Sequence, residues 1–334
     1  MGKTILNRKR TIPFLSFILV SLSLTIIITP SSWLLSQETK KKTLTHDITV
    51  SAISIAVTVQ DSKGKFIDDL TEEDFTIYEN NKKVDINYFS HNFEAPLSLT
   101  ILLDVSGSMA LQDKLKESKE ALNNLINYLL TDRDEVSLLI FADGAVEVAV
   151  NFSKEKNAFS PVLERIEAYG KTALNDAIAV SPEFANRGNN EKRAILLITD
   201  GIENDSQYSP DQAIEVARRV DVPIYTIGYK IPLSEQYLEK YKHSQGLTSS
   251  NIISSLERFS AATGGKAFFI DQANDFYASL RMIKKELSHQ YILGYTSYRG
   301  PENAYRKITI VTSKKKYRVR TREGYYSGKK KNSR

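Results

Sequence analysis

Three short segments of this 334-residue chain set oxygen-bearing side chains directly after, or between, apolar runs of strand length. LSLTILL (97 to 103) runs into Asp104-Val-Ser106-Gly-Ser108-Met, and AILLIT (194 to 199) runs into Asp200-Gly201. Between them, Tyr169-Gly170-Lys171-Thr172 precedes a helical stretch. In a doubly wound sheet ligands gather beyond the carboxyl ends of the strands, so all three segments fall on one edge. Together they offer two carboxylates and three hydroxyls, an all-oxygen set suited to a hard divalent cation such as Mg²⁺ or Mn²⁺. The competing reading is that Asp104 and Asp200 merely cap helices and Thr172 merely begins one. Five suitable residues on three separate loops favour the cation, although each alone would be a weak signal.

Such a site is built for binding. Neutral hydroxyls add no formal charge to the inner shell, so the ion would keep much of its charge and an open octahedral position. A partner's carboxylate fills that position well. Catalysis would need a base beside a bound water, and both carboxylates are committed to the ion. Other chemistries find less support. DVSGSM lacks the G-x-S-x-G of a nucleophile elbow. His46, His91, His243 and His289 lie far apart, with no H-E-x-x-H, and read as surface or structural residues. No Walker or G-x-G-x-x-G loop is present. The absence of Cys excludes disulfides, thiolate nucleophiles and Cys-ligated metals.

The elements that must position these residues follow from periodicity. From Leu97, strand-length apolar runs alternate with amphipathic stretches: after LSLTILL, a helix near 114 to 130, VSLLIFA (136 to 142), VEVAV (146 to 150), and helices near 159 to 168 and 174 to 185. AILLIT, a helix near 210 to 220, VPIYTIGY (222 to 229), a helix near 251 to 262, KAFFI (266 to 270) and a last helix near 273 to 288 complete the series. Continuous apolar strands alternating with helices signify an α/β, doubly wound, mostly parallel sheet covered on both faces. VEVAV, joined to VSLLIFA only through Asp143-Gly144, reads as the antiparallel exception. Gly264-Gly265 reads as a helix C-cap. The polar segment 230 to 250 stays unassigned.

The flanks follow a different grammar. ITVSAISIAVTVQ (48 to 60) alternates as a half-buried strand and turns at Asp61-Ser-Lys-Gly64; Thr71-Glu-Glu-Asp74 reads as a capped helical turn before FTIYE, a turn at Asn80-Asn81-Lys82, and VDINYFS. After Gln290, QYILGYT, RKITIVT and YRVRTREGYY are strands again, expected to pack with the first group in a small β-sandwich-like module. Tyr291, Tyr295, Tyr325 and Tyr326 are expected in its core and sheets, and Lys314-Lys315-Lys316 at a strand turn or edge. The expected divisions are 1 to 36 (signal peptide or membrane anchor), 37 to 96 (β module), 97 to 285 (α/β domain), 286 to 328 (returning strands) and 329 to 334 (basic tail).

The D-x-S-G-S-M segment at Asp104, the G-x-T-x-L-x-D-A-I segment at Gly170 and the T-D-G turn at Asp200 resemble the von Willebrand factor type A domain and its metal-ion-dependent adhesion site. The resemblance spans about residues 97 to 285. It implies that Ser106 and Ser108 bind the ion directly and that Thr172 binds it in the ligand-engaged state. Asp104 and Asp200 would then act mainly through water and by orienting the hydroxyls. Mg²⁺ is the expected ion, with Mn²⁺ or Ca²⁺ as alternatives. The resemblance also implies that the last helix can shift when the metal is engaged. The flanks resemble, more loosely, the bacterial subgroup called VWFA-related, acidobacterial type.

Charge and hydropathy address location. The formal charge of +5 is concentrated at the ends, with +4 in residues 1 to 10, −4 in 37 to 96, −7 in 97 to 283, +8 in 284 to 328 and +4 in the tail. The central domain is therefore acidic, which argues against nucleic acid as a partner. Lys3, Arg8, Lys9 and Arg10 precede the uncharged segment 11 to 36, in the order of a signal peptide's n- and h-regions. By the positive-inside rule the chain after Ser36 is exported, either released or held by that segment. These observations lead to an extracytoplasmic, non-enzymatic adhesion or scaffolding protein that captures a partner's Asp or Glu through a divalent cation. The alternative is an assembly subunit or chaperone-like adaptor for an exported enzyme or surface structure.

Overall fold

The computed structural model describes residues 51 to 232, 248 to 297 and 303 to 327. The expected signal or anchor segment, the basic tail, His46, His243 and most of the unassigned 230 to 250 segment lie outside them. Among the described residues no helix is long and apolar enough to cross a membrane.

The central sheet has six strands: β5 (Leu97–Asp104), β6 (Glu135–Ala142), β7 (Ala145–Ser153), β8 (Lys192–Thr199), β9 (Ile224–Tyr229) and β10 (Ala267–Ile270). Their order is β10-β9-β8-β5-β6-β7. All neighbours are parallel except β6 and β7, which form the hairpin expected at Asp143-Gly144. The connections from β5 run to β6 on one side, and the chain later returns to β8 on the other. This reversal of winding at β5 leaves a crevice at its carboxyl end.

Helices cover both faces, as continuous apolar strands require. One face packs α1 (Lys114–Asn124), α2 (Phe159–Arg165) and α6 (Ala273–Ser288) against Leu99, Ile101 and Leu103. The other packs α3 (Leu174–Ala185), α4 (Pro210–Ala217) and α5 (Ser249–Thr263) against Leu102, Ile195 and Leu197. The alternation along β5 and β8 thus sorts side chains between two cores. Gly264 ends α5 in the left-handed conformation, φ +87°, and so acts as the expected C-cap. The helix expected over 114 to 130 is α-helical only to Asn124 and continues as a wider turn over Leu125–Leu129. Residues 166 to 168 and 218 to 220 do not extend their helices, which end at Arg165 and Ala217.

The flanking strands form two four-stranded antiparallel sheets. β1 (Ser51–Gln60), β4 (Ile86–Ser90), β11 (Tyr291–Ser297) and β13 (Arg318–Arg320) make one, in the order β13-β1-β11-β4. β2 (Phe75–Glu79), β3 (Lys82–Val84), β12 (Tyr305–Thr312) and β14 (Gly324–Tyr326) make the other, in the order β14-β12-β2-β3. Ile55 and Val57 of β1, Tyr291 and Leu293 of β11, Ile77 of β2 and Ile310 of β12 share one core, so the sheets face each other. Two runs read as single strands prove to be broken. VDINYFS divides at Asp85, and YRVRTREGYY divides at 321 to 323, each run giving one strand to either sheet. Period-2 alternation fixes which face is buried but not where a strand leaves one sheet for the other. Tyr291, Tyr295 and Tyr325 are buried as expected, whereas Tyr326 is half-buried against the Tyr305 ring on the sheet edge.

Candidate functional site

Asp104 is the last residue of β5, and the chain turns through Ser106 and Ser108 before α1. Asp200 follows β8, the neighbouring strand, and Thr172 lies in the loop that leads into α3. All five residues are buried, Asp104 and Asp200 completely.

Backbone and side-chain bonds lock the three loops together. The first and second are joined by Gly107 N to Gly170 O (3.0 Å) and Tyr169 N to Val105 O (2.8 Å). Asn204 N and Asp205 N of the third loop donate to Thr172 O, while Thr172 N donates to Asn204 Oδ1 at 2.8 Å. The first and third meet where Thr199 Oγ1 donates to Asp104 Oδ2 at 2.6 Å. Gly170 is required at its place. Its φ is +67°, and a Cβ there would lie 2.2 Å from the Asp143 carboxyl, which accepts from Lys171 N at 2.6 Å.

Each carboxylate oxygen already has a partner. Asp104 Oδ1 accepts from Ser106 N at 2.9 Å and Asp200 Oδ1 accepts from Ile202 N at 3.1 Å. Asp200 Oδ2 is paired with Lys114 Nζ at 2.7 Å, with both side chains buried. Burial pushes the Asp104 carboxyl up to about 7 and the Asp200 charge adds to this, against the bonds from Thr199 and Ser106. A cation placed here would reverse that tendency, because a positive charge favours the ionised form.

The donor set fits a small hard ion. Ser106 Oγ and Ser108 Oγ lie 3.2 Å apart, close to the roughly 3 Å octahedral edge implied by Mg²⁺–oxygen bonds of about 2.1 Å. The carboxylate oxygens retain second lone pairs for metal-bound water. Among the described residues no group of three or more His, Cys, Asp or Glu side chains could hold a metal ion. The candidate donors are hydroxyls with two carboxylates behind them. Neither Asp accepts from a helix-capping amide in the manner of Ser209 or Thr248, which cap α4 and α5.

Four contributors were not singled out from sequence. Thr199 ends an apolar run and looked like part of the strand. Asp143 and Asn204 are loop residues whose role depends on partners 28 and 32 positions away. Lys114 carried a signal: it opens α1, where an ammonium opposes the helix dipole. The other two described histidines are structural. His91 stacks on Tyr291, and His289 packs against Phe66 and Phe93.

A family model described as the von Willebrand factor type A domain matches residues 99 to 203, from β5 through Asp104, Ser106, Ser108 and Thr172 to just beyond Asp200. This chain carries a von Willebrand factor type A domain over those residues. The type A domain here has curated relatives of similar sequence. An uncharacterized protein of Borreliella burgdorferi is 25% identical over 238 residues, 67% of this chain and 64% of that protein. Inter-alpha-trypsin inhibitor heavy chain H4 of Homo sapiens is 23% identical over 247 residues, 68% of this chain and 24% of its own length. The chain thus spans less than two thirds of either relative. Among solved structures, a von Willebrand factor type A protein from Catenulispora acidiphila aligns with TM-score 0.46 and 12% identity, over 85% of this chain and 76% of that one.

Proposed function

We propose that this protein works outside the cytoplasm as a non-enzymatic adhesion or scaffolding protein, capturing an Asp or Glu of a protein partner through a divalent cation, Mg²⁺ or else Mn²⁺ or Ca²⁺. The observation that carries this reading is the pair of adjacent buried hydroxyls, Ser106 Oγ and Ser108 Oγ at 3.2 Å, backed by two wholly buried carboxylates. Ser106 and Ser108 would hold the ion directly, Thr172 would join them when a ligand is engaged, and Asp104 and Asp200 would act through water. The ion supplies one open position for an incoming carboxylate. Thr199 and the Ser106 amide hold Asp104 in place, and the Ile202 amide orients Asp200.

Around this point the loops expose Leu111, Tyr169 and Tyr208. They suit a partner whose acidic residue is flanked by apolar side chains. Export rests on the four basic residues ahead of the uncharged segment 11 to 36. The test is metal-dependent pull-down from the native envelope together with Mn²⁺ titration, using the wild type and Asp104→Ala. Loss of both activities in the variant, and loss of capture in EDTA, are expected. Capture and Mn²⁺ binding that survive Asp104→Ala would overturn the proposal.

A further inference from the structure

Lys114 is 1% exposed, and its ammonium lies 2.7 Å from Oδ2 of an aspartate that is wholly buried. Two penalties oppose that placement. A buried ammonium loses its hydration, and the first position of α1 puts it at the positive end of the helix dipole. Asp200 offsets both. Among the described residues Asp104, the other buried carboxylate, accepts from neutral groups, the Thr199 hydroxyl and the Ser106 amide. Lys114 therefore supplies a formal positive charge inside the candidate metal centre itself.

We propose that Lys114 is a built-in counter-ion that competes with the divalent cation for Asp200 and couples cation binding to capture of a partner carboxylate. The inference rests on the metal-dependent reading above. With Asp104 in the ionised form that a nearby cation favours, Asp104, Asp200 and Lys114 together carry one net negative charge. A divalent cation converts this to one net positive charge, and a single carboxylate from outside returns the site to neutrality. Without Lys114 the cation alone would balance the two aspartates, and an incoming carboxylate would leave an uncompensated negative charge. Like charges repel strongly away from water, so the ammonium weakens cation binding until a carboxylate arrives. By linkage, the cation and the carboxylate then strengthen each other's binding by the same factor.

The test uses Mn²⁺ alone and Mn²⁺ with excess acetate, titrated calorimetrically into the wild type, Lys114→Met and Lys114→Gln. Melting curves are recorded with and without Mn²⁺. Both variants should bind Mn²⁺ at least about tenfold more tightly than the wild type. Acetate should tighten Mn²⁺ binding by the wild type and not by the variants. Without metal the variants should melt at lower temperature and regain stability with Mn²⁺. A variant that does not fold alone but folds on Mn²⁺ addition supports the same conclusion. Equal Mn²⁺ affinity and equal acetate response in all three proteins would overturn the role of Lys114 while leaving the metal site standing. Weaker Mn²⁺ binding by folded variants would overturn it as well. Absence of Mn²⁺ binding from every protein would overturn both proposals.

Discussion

Glu79 shows how strongly a single buried charge can be bound into this protein. Its carboxylate accepts from Tyr295 and Tyr325 hydroxyls at 2.8 and 2.9 Å, from Ser297, and from Arg306 Nη1 at 2.7 Å. Burial raises its pKa, but the bonds from Tyr295, Arg306, Ser297 and Tyr325 together outweigh this and leave Glu79 below the ordinary glutamate value of 4.5. A depressed carboxyl stabilises the fold above its unfolded pKa, and that contribution disappears as pH falls below 4.5 through the folded value. Glu79→Gln takes the carboxylate away from the buried Arg306 guanidinium, which should cost about 3–5 kcal/mol in urea unfolding at neutral pH. The variant should also lack the part of the acid transition that Glu79 supplies. A cost under about 1 kcal/mol, the range of exposed pairs, would show that the network is solvated. At Asp104, which is more completely buried, the balance falls the other way, and burial outweighs the bonds from Thr199 and Ser106.

At the scale of elements, the two connections between the sheets are fastened side by side. Lys192, the first residue of β8, donates through Nζ to Asn92 O ahead of β5 and to Ser288 O at the end of α6, both at 2.8 Å. At the same junction α6 is fixed by Glu286, which accepts from Tyr225 of β9 at 2.6 Å and pairs with Arg320 of β13. His91 lies in this junction, stacked on Tyr291 with ring centroids 3.8 Å apart and edge-on to Phe93. Burial pushes its pKa down to about 4; the Lys192 charge and His289 push the same way, and Asp68 opposes them. The unfolded chain takes up this proton below about 6.5, whereas the folded chain refuses it until about 4, so stability should fall as pH drops through that window. His91→Phe should flatten this part of the stability profile in denaturant unfolding followed between those two pH values. A variant with an unchanged slope would assign the effect to another group.

At the scale of the whole molecule, the chain builds its sandwich from both ends. β1 pairs with β11 from Ser51↔Ser297 to Val57↔Tyr291 and, on its other edge, with β13. β2 likewise takes β12 as a neighbour. The early strands therefore have no complete sheet until the α/β part has been passed. A chain ending at Ser288 should keep the six-stranded sheet and lose amide protection over residues 51 to 90, as read by hydrogen exchange. Protection of those residues in the shortened chain would mean that the early strands form a sheet unaided. Closing so long a loop adds to the entropic cost of forming the sandwich.

Local periodicity and strand-end logic made much of this legible. The helix 174 to 185 and the strand FTIYE coincide with α3 and β2, and the hairpin at Asp143-Gly144 is present. Asp104, Ser106, Ser108, Thr172 and Asp200 stood out because strand ends in such a sheet meet at one edge, and the structure gathers their loops there. The charge of +5 likewise resolved into basic ends around an acidic centre. These features depend on residues within a few positions of one another, whose spacing a sequence displays directly. Partnerships across the chain were not legible. The breaks at Asp85 and at 321 to 323, the Glu79 network and the hold of Lys192 on both connections all join residues distant in sequence. The place of Lys114 at the start of a helix hinted at an unusual charge, but only the fold names its partner, since β8 brings Asp200 to within 2.7 Å of its ammonium. Sequence determined which oxygen-bearing side chains stand at the strand ends and which faces would be buried. Only tertiary packing decided which charges would be buried together, because desolvation and pairing depend on what the fold brings into contact.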